Sequence, residues 1–163
     1  MIIDIREAQE ADLASLYDVY HNCGKADVGY FENCFSEGVT VLMAFLDGRH
    51  VGIGILNWKP RYSLYKRLGI PEIQDLNVIP DARRYGVATF MIEWCEDAAR
   101  AKGKDMVGIG VGLTRDYGPA QILYAKLGYI PDGFGVTYDR ENVTPHETYR
   151  MDDDLSLMLV KSL

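Results

Sequence analysis

Apolar and polar positions divide this chain into alternating strand-like and helix-like segments. Ile2 to Arg6 reads as a first strand. Leu13, Leu16, Tyr17 and Tyr20 then recur at helical spacing, and Gly24 ends that helix. Asp27 is placed to cap a short second helix that carries Phe31, Cys34 and Phe35 on or near one face. Val39 to Leu46 and Val51 to Trp58 are strands joined around Asp47-Gly48, a hairpin signal. Lys59 to Pro71 reads as a longer connection. Glu72 to Val78 forms the next strand, and a helix opens at Gly86. Asp105 to Val111 is a fifth strand. Pro119 suits the first turn of another helix and Gly128 lies just past its end. Tyr129 to Pro131 begins a sixth strand, and Leu155 to Lys161 is a seventh, entered after Asp152-Asp153-Asp154.

The central helix carries the clearest periodicity. Val87, Phe90, Met91, Trp94, Cys95, Ala98 and Ala99 form one apolar stripe, with Glu93, Glu96, Asp97 and Arg100 off it and Gly103 as the stop. A stripe of this kind packs on a sheet, which makes Cys95 a core residue rather than a nucleophile. An acyl-thiol intermediate on Cys23, Cys34 or Cys95 needs a partner base, and none is evident nearby in sequence.

Composition narrows the class. The 163 residues suit a single domain, 1–163, with a real core, and 48% hydrophobic with 25% charged residues is close to the globular average. No repeat, linker or apolar run of membrane-span length interrupts it. The N-terminus lacks a basic n-region and an apolar h-region. Three cysteines, an odd number at no metal-like spacing, suit a reducing compartment, so a cytoplasmic protein is expected. A net charge of −7 argues against a nucleic-acid binder. Lys59, Arg61, Lys66 and Arg67 nevertheless make a local basic patch. His21, His50 and His146 are too scattered to hold a metal, and His146-Glu147 lacks the second histidine of a zinc motif.

The stretch Arg83-Arg84-Tyr85-Gly86-Val87-Ala88-Thr89 carries the most chemical information. It lies where a strand turns into a helix. Glycine lets the backbone approach a ligand there, and the first helical turn leaves N–H groups without partners. Those donors, the helix dipole and two arginines together suit a pyrophosphate. The alternative is an ordinary turn with solvated basic residues. No Walker loop is present. Gly108-Ile109-Gly110-Val111-Gly112 has the wrong gap for a dinucleotide fingerprint and reads instead as a strand with small residues on one face.

The pattern present, Arg-x-x-Gly-x-Ala from Arg83 to Ala88, resembles the coenzyme A pyrophosphate loop, [QR]-x-x-G-x-[GA], of the GCN5-related N-acetyltransferases. A second motif, Ala120-Gln121-Ile122-Leu123-Tyr124-Ala125-Lys126-Leu127-Gly128-Tyr129, is similar to that family's A-x-x-L-Y-x-K-x-G-[FY] helix. The order of elements resembles the family from Ile3 to Lys161. The resemblance implies an acyl-CoA N-acyltransferase fold of the α/β (α+β) class. Its sheet is mixed and mostly antiparallel, with about seven strands, about four helices and two splayed central strands.

The resemblance also implies acetyl-CoA as cosubstrate, with no metal. The backbone of Leu76, Asn77 and Val78 would pair with pantetheine amides, and the N–H groups from Arg84 to Thr89 would cradle the pyrophosphate. Tyr124 would be the donor to the departing sulfur. Because an alkylammonium has a pKa near ~10, the acceptor must lose a proton to a base. Glu72, eleven residues before Arg83, stands where histone acetyltransferases of the family place that base. Asp75 is the rival if a bulge turns it, and a water chain is a third option. Tyr117 departs from the asparagine that the family often has seven residues before the helix tyrosine. Substrate walls would include Tyr20, Tyr30, Phe31 and the connection from Gly133 to Asp154, with Tyr138, His146, Glu147 and Tyr149. Such walls suit a primary amine of a small molecule or a peptide. A non-catalytic acyl-CoA-binding module is the alternative, transfer to oxygen a weaker one, and an edge-strand homodimer is compatible with such a fold.

Overall fold

A computed structural model describes residues 1–163. In chain order the elements are β1 (Ile3–Glu7), α1 (Leu13–Asn22), α2 (Tyr30–Glu37), β2 (Thr40–Leu46), β3 (Arg49–Asn57), α3 (Ser63–Leu68) and β4 (Glu72–Val78). There follow α4 (Val87–Ala101), β5 (Met106–Gly112), α5 (Gly118–Lys126), β6 (Ile130–Tyr138), β7 (Glu141–Asn142) and β8 (Leu155–Ser162). Strand order is β1-β2-β3-β4-β5-β8-β6-β7. The pairs β1–β2, β2–β3, β5–β8, β6–β8 and β6–β7 are antiparallel. The class is the mixed, mostly antiparallel α/β sheet expected, with one strand and one helix more. Both additions fall inside segments read as connections. α3 spans 6 residues and β7 only 2, too short for a period to show in sequence. No helix is long and apolar enough to cross a membrane.

Two compact units divide the chain. The first comprises Met1–Trp58 and Ile73–Ala98. Residues Thr40–Ala44 of β2 are buried without alternation, as in a strand covered on both faces. Asp47 and Gly48 join β2 to β3 with φ of 49° and 81°, the two left-handed positions of a tight hairpin turn. α1 packs on β3 and α2 on β2. Asp27 does not cap α2. Gly29 stands at the cap with φ 74°, and Asp27 instead accepts a hydrogen bond from the Tyr20 hydroxyl at 2.5 Å. In α4, Val87, Met91, Ile92, Cys95 and Ala99 are buried as core, yet Phe90 is 46% exposed and Glu96 is buried. The covered face is rotated from the stripe toward Ile92 and Glu96, so Phe90 is left at its solvent edge.

The second unit comprises Lys59–Glu72 and Ala99–Leu163. Its core gathers Tyr62, Tyr65, Ile70, Met158 and Val160. The glycine run of β5 does carry its small residues against larger neighbours. A Cβ on Gly108 would stand 2.4 Å from the Tyr65 ring, and one on Gly112 2.4 Å from the Tyr117 ring. Tyr65 is fully buried, and its hydroxyl donates to the Leu159 carbonyl at 2.5 Å. The β6–β7 hairpin turns at Asp139 and Arg140, both left-handed at φ 47° and 63°. Neither is glycine, so other contacts must offset the strain. Arg61 holds Asp139 at 2.7 Å. Arg140 holds Glu72, donating from Nε at 3.0 Å and from Nη2 at 2.8 Å to Oε1. Glu72 is fully buried, whereas the Arg140 side chain is a third exposed.

Two substitutions test this packing. Gly108→Ala forces the Tyr65 ring from a filled site and is expected to lower unfolding free energy by about 1–3 kcal/mol in urea titration. Arg140→Ala removes the cation from a buried carboxylate. It is expected to cost about 2–3 kcal/mol, below the range for a fully buried pair because Arg140 is partly solvated. In a double-mutant cycle, Glu72→Gln should lose most of its own effect once Arg140 is absent.

Candidate active site

The passage from β4 into α4 is shaped by local backbone chemistry. Pro80 opens a 3-10 turn, Pro80–Ala82, and the chain then alternates in handedness. Arg83 is extended at φ −73°, Arg84 is left-handed at 68° and Gly86 is left-handed at 87°. Alternating handedness turns successive N–H groups toward a common concavity that receives anions. The N–H groups of Arg84, Tyr85, Gly86, Val87, Ala88 and Thr89 donate to no other protein group, and the first intrachain bond of the helix start is Phe90 to Gly86 at 3.2 Å. Arg83 is not idle, since its Nε donates to the Val78 carbonyl at 2.9 Å and braces the end of β4. That bond occupies one of the carbonyls expected to pair with a ligand amide. Arg84 is exposed and makes no ion pair.

β4 itself is interrupted. Asp75 is left-handed at φ 51° in mid-strand, and the Asn77 side chain donates to its carbonyl at 2.9 Å. Strict alternation is thereby broken and Asp75 is exposed, while Glu72 and Ile73 before it are buried. The Tyr30 hydroxyl donates to the Asp75 carboxylate. Tyr30 stacks on Tyr20 at 5.1 Å with 14° between the planes, and Phe31 meets both rings edge-on. Burial and the neighbouring carboxylates push the Tyr20 and Tyr30 phenols far up, so both keep their protons at neutral pH.

Tyr124, in the second unit, differs from its fellow tyrosines. It is 9% exposed, touches the Tyr129 ring at 6.3 Å between centroids, and donates its hydroxyl to no protein group. Burial alone pushes it up to about 12. Tyr117, where the family pattern has asparagine, lays its ring over Gly112 and donates to Asp153 at 2.8 Å. Tyr138 donates to Asp152 at 2.8 Å. Two of the three loop aspartates are therefore tied to tyrosines and do not form a freely solvated acidic run.

Of the residues singled out in sequence, the loop positions Arg83 to Thr89 lie together at the start of α4, whereas Glu72 and Asp75 occupy opposite environments on one strand. The Glu72–Arg140 pair, separated by 68 positions, left no trace in the sequence pattern. Tyr30 was legible only as an aromatic wall, because its bond to Asp75 spans 45 positions. Cys34 and Cys95 are buried and Cys23 half-buried, all as free thiols.

Comparison with known proteins agrees with the fold. The aminoalkylphosphonate N-acetyltransferase of Salmonella typhimurium is 24% identical over 143 residues, covering 83% of this chain and 90% of the relative. Among solved structures, the ribosomal-protein-S18-alanine N-acetyltransferase of Escherichia coli superposes with a TM-score of 0.73 at 14% identity, covering 99% of this chain and 94% of that one. A GNAT family acetyltransferase from Elizabethkingia anophelis with acetyl-CoA bound gives a TM-score of 0.68 at 14% identity, with 99% and 98% covered. The family model for the acetyltransferase (GNAT) family matches residues 5–129, a span that contains both the β4–α4 loop and the Tyr124 helix. This chain is therefore an acyltransferase and a member of the acetyltransferase (GNAT) family.

Proposed function

We propose that the protein transfers an acetyl group from acetyl-CoA directly to a primary amine of a small molecule or a peptide, within a ternary complex. The observation that carries this is the run of unpaired N–H groups from Arg84 to Thr89, in a left-handed turn beside an unpaired arginine. That donor set fits a pyrophosphate, which offers oxygens to several N–H groups at once. Leu76, Asn77 and Val78 are assigned to the pantetheine arm, with the Val78 carbonyl reserved for Arg83. When bound, acetyl-CoA supplies a thioester whose carbonyl carbon is the electrophile.

The chain's own groups then divide the proton work. The acceptor ammonium must lose a proton, and the acid that takes it needs an accessible oxygen. Glu72 is fully buried and bonded by the Arg140 guanidinium, so we assign it to holding the β6–β7 hairpin rather than to the base role expected from its position. Asp75 is exposed, and we assign the proton to it, directly or through water. Tyr124 is assigned to the departing sulfur. A phenol near 12 is a weaker acid than a thiol near ~8.5, so outright proton transfer is uphill and a hydrogen bond to the developing thiolate is the better description. The carboxylates and tyrosines around Asp75 favour a cationic acceptor. They do not favour one whose amine stands beside an anionic group, as an aminoalkylphosphonate's does.

Calorimetric titration with acetyl-CoA tests the loop, followed by a screen of polyamines, aminoglycosides and free-N-terminus peptides for thiol release. Micromolar binding and release with at least one amine are expected, and no binding at millimolar cofactor removes the proposal. Gly86→Ala, which forces a Cβ onto a left-handed residue, should raise the acetyl-CoA Kd about tenfold. Tyr124→Phe should lower kcat roughly 10- to 100-fold with an unchanged Kd. An unchanged kcat excludes Tyr124 from the sulfur.

A further inference from the structure

Tyr30 opens α2, and three contacts determine where its hydroxyl lies. Its ring is stacked on Tyr20, which is 3% exposed and anchored by its own hydroxyl to Asp27 at 2.5 Å. Phe31 closes the edge at 5.0 Å. The hydroxyl donates to Oδ2 of Asp75. At the other end of that bond the Asp75 backbone is itself held, left-handed, by the Asn77 side chain. A short carboxylate side chain has a free χ2 torsion, and an exposed one samples it broadly. With one oxygen taken by a hydroxyl on a rigid ring, that torsion is set, and Oδ1 is left without a protein donor.

We infer that Tyr30 is a positioning residue of the transfer reaction, fixing the Asp75 carboxylate so that its remaining oxygen faces the acceptor amine. This rests on the assignment of Asp75 as the base. The groups facing Asp75 leave Tyr30 as its hydroxyl donor. From α2 they are Tyr30 and Cys34, and from α1 Tyr20, with Asp27 behind it. Burial pushes the Cys34 thiol up to about 11, with Asp75 and Glu37 adding to the shift, and both phenols are also pushed up. All three groups therefore stay neutral through the working range, and Tyr30 is the one that donates to the carboxylate. Removing that donor frees the carboxylate torsion, so the remaining oxygen is no longer held in one direction.

Tyr30→Phe keeps the ring stack and deletes only the hydroxyl. The probe is the amine giving the fastest thiol release in the screen above, and melting temperature confirms folding. We expect kcat to fall on the order of tenfold with KM for the amine nearly unchanged. In an Asp75→Asn background the same substitution should add nothing. An unmoved kcat, or an equal loss in the Asp75→Asn background, overturns the role of Tyr30 while leaving the base assignment standing. Wild-type kcat in Asp75→Asn alone, or no amine accepted, removes the base assignment and this inference with it.

Discussion

Hydrogen bonds from tyrosine to carboxylate tie together the parts of this protein that secondary structure does not. Tyr17 reaches Glu32 and Tyr20 reaches Asp27, joining α1 to α2 and its approach. Tyr30 reaches Asp75, joining α2 to the bulge of β4. In the second unit Tyr62 holds Asp132, Tyr117 holds Asp153 and Tyr138 holds Asp152. Each is a hydrogen bond from a phenol to a carboxylate. A chain with net charge −7 must find donors for its carboxylates, and arginine and lysine are the minority. A phenol supplies a donor and a buried ring at once, with only two torsions to order. Against that background Tyr124 stands apart. It is buried, and its hydroxyl donates to no protein group.

The second constraint is backbone strain placed beside the chemistry. Asp75 and Arg84 are both left-handed without being glycine, each at a cost of about 1–2 kcal/mol. Neighbouring side chains maintain them. Asn77 holds the Asp75 carbonyl, and Arg83 caps Val78 just before the turn that contains Arg84. An ordinary strand running into an ordinary capped helix would avoid both costs. It would also turn Asp75 to the other face and give the helix N–H groups a side-chain acceptor. The strain is thus what exposes an acid and a row of donors on consecutive stretches of one segment.

Much of this was legible in the sequence, for reasons that can be named. The β2–β3 hairpin was readable because Asp47-Gly48 sits between two long apolar runs. The β4–α4 loop was readable because it combines a glycine, two arginines and a strong helical stripe. The β5 glycines were readable as small residues on one face, although the rings of Tyr65 and Tyr117 that fill the space could not be named. Short elements were not readable, since α3 and β7 hold less than two periods of their patterns. Asp27 was misread because a cap and a partner for Tyr20 look alike in a string of letters. The face of α4 was slightly misplaced, since the covered side is rotated toward Ile92 and takes in the polar Glu96.

Glu72 and Asp75 show where sequence reasoning about a site stops. They lie three positions apart on one strand, with Glu72 at the family's base position and Asp75 its rival if a bulge turns it. Alternation alone would put them on opposite faces, and a bulge cancels that rule. What separates them is partners contributed from far along the chain. Glu72 receives a full positive charge from a hairpin turn 68 positions away and has no solvent contact, so protonating it would cost the structure its tie to Arg140. Asp75 receives only a phenol hydrogen bond, is exposed and takes part in no buried ion pair. A base must change its charge in every turnover, and the assignment proposed above therefore falls on the carboxylate whose charge the fold does not depend on.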